Sequence, residues 1–71
     1  MELIITYKIK EIRELQGMSI RELEKQSGVS RSQISNIENN KKDTTVTTLY
    51  MIAIALGVLP SDLLEVKVID L

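Results

Sequence analysis

The chain has no cysteine and no histidine among its 71 residues, and only one proline and three glycines. Without cysteine there is no disulfide to staple a small fold. Without either residue the best ligands of a structural metal are missing too. The commonest general base and the thiol nucleophile are also absent, which excludes most hydrolytic and redox chemistry. No catalytic residue, no metal site and no cofactor is therefore expected. Association remains open as a source of extra stability, because a domain this small buries only ~60% of the surface its unfolded chain exposes. The sequence opens Met1-Glu2 with no basic stretch, and its first apolar run, Leu3 to Ile5, is too short for a secretory signal. Thr44 to Ser61 carries no charge but is Thr-rich and shorter than a membrane span needs. The expectation is a cytoplasmic protein with no membrane partner.

What is present reads as one globular domain over residues 1–71, at 44% hydrophobic and 27% charged residues. The formal net charge of −1 hides an uneven distribution. Residues 1–18 balance. Residues 19–42 hold Arg21, Lys25, Arg31, Lys41 and Lys42 against Glu22, Glu24 and Glu38, and residues 43–71 hold only Lys67 against Asp43, Asp62, Glu65 and Asp70. Salt screens charges beyond ~8–10 Å, so an anionic partner meets the basic middle rather than the total.

Gly17, Gly28, Asn39-Asn40, Gly57 and Pro60 divide the chain into runs with helical spacing. The pattern predicts helices over about 8–16, 19–27, 30–38, 45–56 and 60–64. Ser19, Ser30 and Thr45 serve as N-caps, with Glu22 completing a capping box at Ser19. Asn40 is the expected left-handed residue after the third helix. For the last helix, either Ser61 or the residue before Pro60 is the cap. Leu3-Ile4-Ile5-Thr6-Tyr7 and Val66-Lys67-Val68-Ile69 alternate and are β-branched, so each reads as a strand. Paired, they would join the two termini in a two-stranded antiparallel sheet packed on the helices.

Residues 19–39 carry the functional signal. Two short helices joined by a turn at Gly28, with Leu23, Val29, Ile34 and Ile37 as apolar positions, describe a helix-turn-helix. Further blocks stand at matching spacing: Ile9-Lys10-Glu11-Ile12-Arg13, Gly17-Met18-Ser19, Gly28-Val29-Ser30-Arg31-Ser32, Ile37-Glu38-Asn39, Thr48-Leu49 and Ala55-Leu56-Gly57-Val58. From Lys8 to Leu64 the chain resembles the phage-repressor family of Cro and C1-type regulators, which implies an all-α, five-helix domain. On the third helix Ile34 and Ile37 set the core side. Ser32, Ser35, Asn36 and Asn39 then project outward, flanked by Arg31 and Gln33. That face holds no carboxylate and can offer hydrogen bonds to base edges.

The resemblance implies roles. Arg31, Ser32 and Asn36 would read bases, Arg31 suiting guanine and Asn36 adenine, with Gln33 as an additional contact. Ser19, Asn39, Lys41 and Lys42 would meet phosphate. Arg13 and Glu38 would form a structural ion pair. Two positions depart from the family, which usually has Gln at position 20 and Ala at position 24, where this chain has Ile20 and Glu24. Glu24 must bend along the third helix, toward Arg31 or Ser35, or push the helices apart.

The fourth helix departs too. Leu49, Ile52, Ala53 and Leu56 account for one buried face, leaving Tyr50, Met51 and Ile54 as an apolar surplus to be covered by the terminal strands or by a second subunit, and so a candidate dimer or partner surface. The expected partners are double-stranded DNA and a second copy of the chain, with no small-molecule ligand. One domain uses the whole sequence, so repression at a near-palindromic operator is favoured over ligand-gated activation. The alternative is a protein-interaction module of the same fold, such as an antitoxin, that uses the fourth helix as its main interface.

Overall fold

Three hydroxyl side chains set where helices begin in the computed structural model, which describes residues 1–70. Helix α1 spans Ile9–Leu15, α2 Ile20–Ser27, α3 Arg31–Glu38 and α4 Val46–Leu56. Ser19 Oγ accepts the Glu22 N–H at 3.1 Å, Ser30 Oγ accepts Gln33 N–H at 3.2 Å and Thr45 Oγ1 accepts Thr48 N–H at 3.2 Å. Each bond satisfies one of the donors that a helix leaves free at its start. The expected capping box at Ser19 closes differently. Its hydroxyl donates to the Glu22 carboxylate at 3.3 Å, side chain to side chain.

Three helices end in the same pair of reversed bonds. After α1, Gly17 N–H donates to Glu14 O and Met18 N–H to Arg13 O; after α4, Gly57 N–H donates to Ile54 O and Val58 N–H to Ala53 O. After α3 the same bonds run from Asn40 N–H to Ile37 O and from Lys41 N–H to Asn36 O. This motif needs one residue in the left-handed region. Asn40 supplies it at φ 55°, the only non-glycine residue with positive φ among those described, and asparagine tolerates that region better than most.

The expected fifth α-helix is not one. Pro60–Leu63 forms a single 3₁₀ turn, so the fold has four α-helices and a strand pair rather than a five-helix bundle. Leu59 caps the turn, its N–H donating to Asp62 Oδ2 at 3.0 Å while its carbonyl accepts Asp62 N–H at 2.9 Å. The turn cannot lengthen, because Leu64 is already extended at φ −147°, ψ 155°. There it begins strand β2, Leu64–Ile69, which pairs antiparallel with β1, Glu2–Tyr7. The register sets Tyr7 opposite Leu64, Ile5 opposite Val66 and Leu3 opposite Val68. An exposed ion pair between Lys8 Nζ and Glu65 Oε1, at 2.6 Å, ties the base of this ribbon. The hydrogen bond and the charge of Glu65 together hold the Lys8 ammonium above its ordinary pKa.

One core serves all four helices. Ile9, Leu23, Val29, Ile34, Ile37, Ile52, Ala53, Leu56 and Leu63 are buried, with Tyr7, Ile12, Met18, Ile20, Leu49, Ala55 and Val58 packed around them. Helix α2 is central to the helical packing, meeting both α3 and α4. No helix among the described residues is long and apolar enough to cross a membrane.

Arg13 is the one buried charged residue among those described. Its Nε and Nη2 donate to the two oxygens of Glu38 at 2.8 and 3.1 Å, and Nη1 donates to Met18 O at 2.8 Å. The hydrogen bond to Glu38, outweighing burial, raises the Arg13 pKa further above its ordinary value. Replacing Arg13 by Ala leaves the Glu38 carboxylate, only 3% exposed, without its cation. The expected cost is ~3–5 kcal/mol, whereas an Arg13→Met, Glu38→Leu double variant should recover most of it. Urea unfolding measures both. A single-variant loss below about 1 kcal/mol would remove the pair from any structural role.

Candidate nucleic-acid interface

The two helices of the motif are joined by three residues, each with a separate job. Gly28 is left-handed at φ 78°, and its N–H donates to Glu24 O at 2.9 Å. Val29 drops into the core while its N–H bonds Ser27 Oγ at 3.1 Å, and Ser30 opens α3. Gly28 is required by its backbone rather than by space. The nearest atom to a Cβ there would be Met51 Cε at 3.6 Å, an ordinary contact.

With Ile34 and Ile37 fully engaged in the core, the opposite side of α3 faces outward. Arg31, Ser32 and Gln33 are exposed, and Ser35 and Asn36 are half-buried. An open concavity between α2 and α3 is lined by Ile20, Arg21, Arg31, Ser32, Ser35 and Asn36. It gathers three of the four base-reading candidates. Gln33 lies beyond it and lines, with Asn36, Lys42 and Thr44, a smaller hollow of about 170 Å³ against the start of α4. Asn36 thus borders both. Ser19, Asn39, Lys41 and Lys42 are all exposed, with Asn39 Nδ2 donating back to Ser35 Oγ at 3.4 Å.

Glu24 answers the steric question its position raises. Its stem lies between the helices, half-buried, and its carboxylate reaches the start of α3. Oε2 accepts the backbone N–H of Arg31 at 2.8 Å, and Oε1 lies 3.3 Å from Arg31 Nε. A carboxylate is favourable there, since the first turn of a helix presents unpaired N–H groups and the positive end of its dipole. One anion therefore holds both the backbone and the side chain of Arg31, leaving the terminal nitrogens of the guanidinium free of protein partners among the described residues. Ile20 is half-buried against the core and forms one wall of the concavity.

Two residues that the sequence reading left without a role belong here. Arg21 stands beside Arg31 in the concavity; a cation two positions after the Ser19 cap was the available signal. Tyr7 is less visible from sequence. Its hydroxyl accepts Thr44 N–H at 3.2 Å and donates to Asp43 Oδ1 at 3.5 Å, and its own N–H donates to Asn40 Oδ1 at 3.5 Å. One strand residue thus braces both ends of the loop that carries Lys41 and Lys42.

On α4 the apolar surplus remains uncovered by the chain itself. Ile54 is 76% exposed and Tyr50 52%, while Met51 lies partly over the Gly28 turn. The terminal strands do not fold over this face.

Residues 9–63 match the family of helix-turn-helix proteins. The chain is 38% identical over 50 residues to the HTH-type transcriptional regulator SutR of Escherichia coli K12, covering 70% of this chain and 28% of that protein. It is 40% identical over 47 residues to the HTH-type transcriptional regulator y4dJ of Sinorhizobium fredii, covering 66% of this chain and 61% of the relative. The aligned stretch is thus only part of each relative's length. Its backbone is similar to the restriction-modification controller protein C.AhdI of Aeromonas hydrophila, with a TM-score of 0.74 at 25% identity over 78% of this chain and 83% of that one. The match runs through both helices of the motif and the core that orients them. The chain belongs to the Cro/C1-type helix-turn-helix family of DNA-binding transcription regulators.

Proposed function

We propose that this chain is a sequence-specific regulator that binds a near-palindromic operator as a homodimer and represses by occupying it. The observation that carries this reading is the outward face of α3, where Arg31, Ser32 and Asn36 share one open concavity and no carboxylate faces it from α3. Docked with the start of α3 in the major groove, Arg31 pairs with guanine O6 and N7, Asn36 with adenine N6 and N7, and Ser32 and Gln33 with neighbouring edges. Ile20 offers a thymine methyl an apolar contact in place of the polar one the family usually makes. Ser19, Arg21, Asn39, Lys41 and Lys42 take the flanking phosphates, with the Tyr7-braced loop setting the height of the two lysines.

The apolar α4 face favours a second reading, in which Tyr50, Met51 and Ile54 receive a second subunit or a different protein, as in an antitoxin. Both readings share the fold and differ in which face carries the affinity.

Selection of binding sites from random duplex DNA tests the first reading. A palindromic consensus is expected, and an Arg31→Ala, Asn36→Ala double variant should lose it while unfolding at the same urea concentration. Each lost bidentate contact removes ~1–3 kcal/mol of discrimination at its base pair. Log affinity should fall with log salt by roughly 0.9 per phosphate neutralised. Weak binding without consensus, equal in both proteins, would sink the regulator reading and point to α4.

Glu24 gives a second prediction. Glu24→Ala should raise affinity for random duplex, because a negative charge leaves the phosphate side. The same change should lower discrimination at the guanine read by Arg31 by up to about tenfold, or ~1.4 kcal/mol. Glu24→Gln keeps an acceptor for the Arg31 N–H and should fall between. Unchanged discrimination in Glu24→Ala would show that Arg31 needs no bracing.

A further inference from the structure

The concavity between α2 and α3 is polar except at one point. Arg21, Arg31, Ser32, Ser35 and Asn36 line it with hydrogen-bonding groups, and Ile20 is its one apolar wall among the described residues. That wall is held firmly. Ile20 is the first residue of α2, directly after the Ser19 cap, and part of its side chain packs against the core. A β-branched side chain in a helix keeps essentially one χ1 rotamer, so the outward part of Ile20 presents its methyl groups at a fixed place. Core packing does not use the whole residue. Leu23, on the same helix, is wholly buried, whereas Ile20 keeps a surface in the concavity.

Four positions further along the same face of α2, Glu24 makes the opposite kind of contact. Its carboxylate accepts Arg31 N–H at 2.8 Å and lies 3.3 Å from Arg31 Nε. The two terminal nitrogens of the guanidinium are thereby left to fork onto O6 and N7 of a guanine. The base stacked beside that guanine then presents its major-groove edge to the rest of the concavity. A methyl group at C5 of a pyrimidine is the one apolar group that edge can offer.

We propose that Ile20 makes this concavity a site for the C5 methyl of a pyrimidine stacked beside the guanine held by Arg31. The proposal rests on the reading of α3 as the base-reading helix and gives that helix a second, apolar criterion. Two bases carry the group, thymine and 5-methylcytosine. They differ at position 4, where one has a carbonyl and the other an amino group. Ser32, in the same concavity, accommodates either, because a hydroxyl both donates and accepts. A thymine beside guanine and a methylated cytosine beside guanine therefore satisfy the site alike. Unmethylated cytosine leaves the face of Ile20 without a partner. The affinity of the chain for a site containing that cytosine rises when the cytosine is methylated. A glutamine at position 20 would lose this preference, since its amide would give up water to face a methyl group.

Binding titrations on the selected site test this by changing one methyl group at a time. Selection from unmethylated random duplex should return thymine beside the guanine that Arg31 reads. Deoxyuridine in place of that thymine removes only the methyl and should weaken binding about fourfold. Cytosine there should bind more weakly than 5-methylcytosine by about the same factor. Ile20→Gln should bind methylated and unmethylated duplexes equally, while Ile20→Val, which keeps a branched apolar end, should retain the preference. Both base comparisons use the unaltered chain, so a variant that folds poorly cannot hide the result. Equal affinity for thymine and deoxyuridine overturns the proposal, as does a methyl preference that a folded Ile20→Gln leaves unchanged. A response to deoxyuridine without one to 5-methylcytosine names thymine as the source and overturns the response to methylation. A consensus insensitive to these methyl groups keeps the regulator reading and rejects this site; the absence of any consensus rejects both.

Discussion

Arg13 joins three parts of the chain that would otherwise be free to move against one another. Its guanidinium spends three nitrogens on two targets, the carboxylate of Glu38 and the carbonyl of Met18. The first lies at the last residue of the recognition helix, and the second in the link from α1 to α2. Fixing both from α1 sets where α2 begins and where α3 ends, which are the two fixed points of a helix-turn-helix. A fork of donors does this where a single ammonium could not, because the geometry of the two carboxylate bonds defines a plane. Burying such a pair contributes little net stability, since desolvation offsets the attraction. Its value is positional. Losing one partner is costly because the other has no water to return to.

The start of α3 is held by a second arginine–glutamate pair with the opposite character. Arg31 and Glu24 are both substantially open to solvent, so their attraction is screened and contributes little to folding. The backbone bond from Arg31 N–H is the firmer part, anchoring the first turn of the helix. The two pairs thus bracket α3, a buried one at its end and an exposed one at its start. Only the exposed one can be exchanged for contacts with another molecule. The local balance of charge is close, because Glu24 pairs with Arg31 beside Arg21, and Asp43 shares a hollow with Lys42. On the proposed reading, an interface so nearly neutral would draw its selectivity from directed hydrogen bonds more than from bulk attraction to phosphate.

Much of this was legible in the sequence where one local rule governs. Ser19, Ser30 and Thr45 announce helix starts because few other side chains can take a free backbone N–H. Gly28, Asn40 and Gly57 announce ends because few residues accept positive φ. The inward set Ile34 and Ile37 follows from helical period, and the strand pair from β-branched alternation at the two ends. The failures were tertiary. Nothing local in Pro60–Leu63 forbids a longer helix; the pairing of Leu64 with Tyr7 does. The bracing by Tyr7 spans 36 or 37 residues, and neither periodicity nor spacing encodes which loop a strand tyrosine will meet. The direction of the Glu24 side chain was likewise one of two alternatives until the approach of α2 to α3 was known.

Tyr7 also connects the terminal ribbon to the loop that carries Lys41 and Lys42. It is the last residue of β1 and packs against the core. Its polar groups hold Asn40, Asp43 and Thr44, the residues that frame Lys41 and Lys42. On the inner side of that loop, Thr44 shares the small hollow with Gln33 and Asn36. A short chain of packed and bonded groups therefore runs from the ribbon through Tyr7 to the loop and on to α3. Whatever fixes the ribbon in space fixes the height of the loop relative to the recognition helix. In a two-fold dimer the separation of the two recognition helices must match about one turn of DNA, ~34 Å. If the proposed dimer forms, a firm link from ribbon to loop serves it by holding Lys41 and Lys42 at a fixed height beside α3, because slack at Tyr7 would let the loop move independently of that helix.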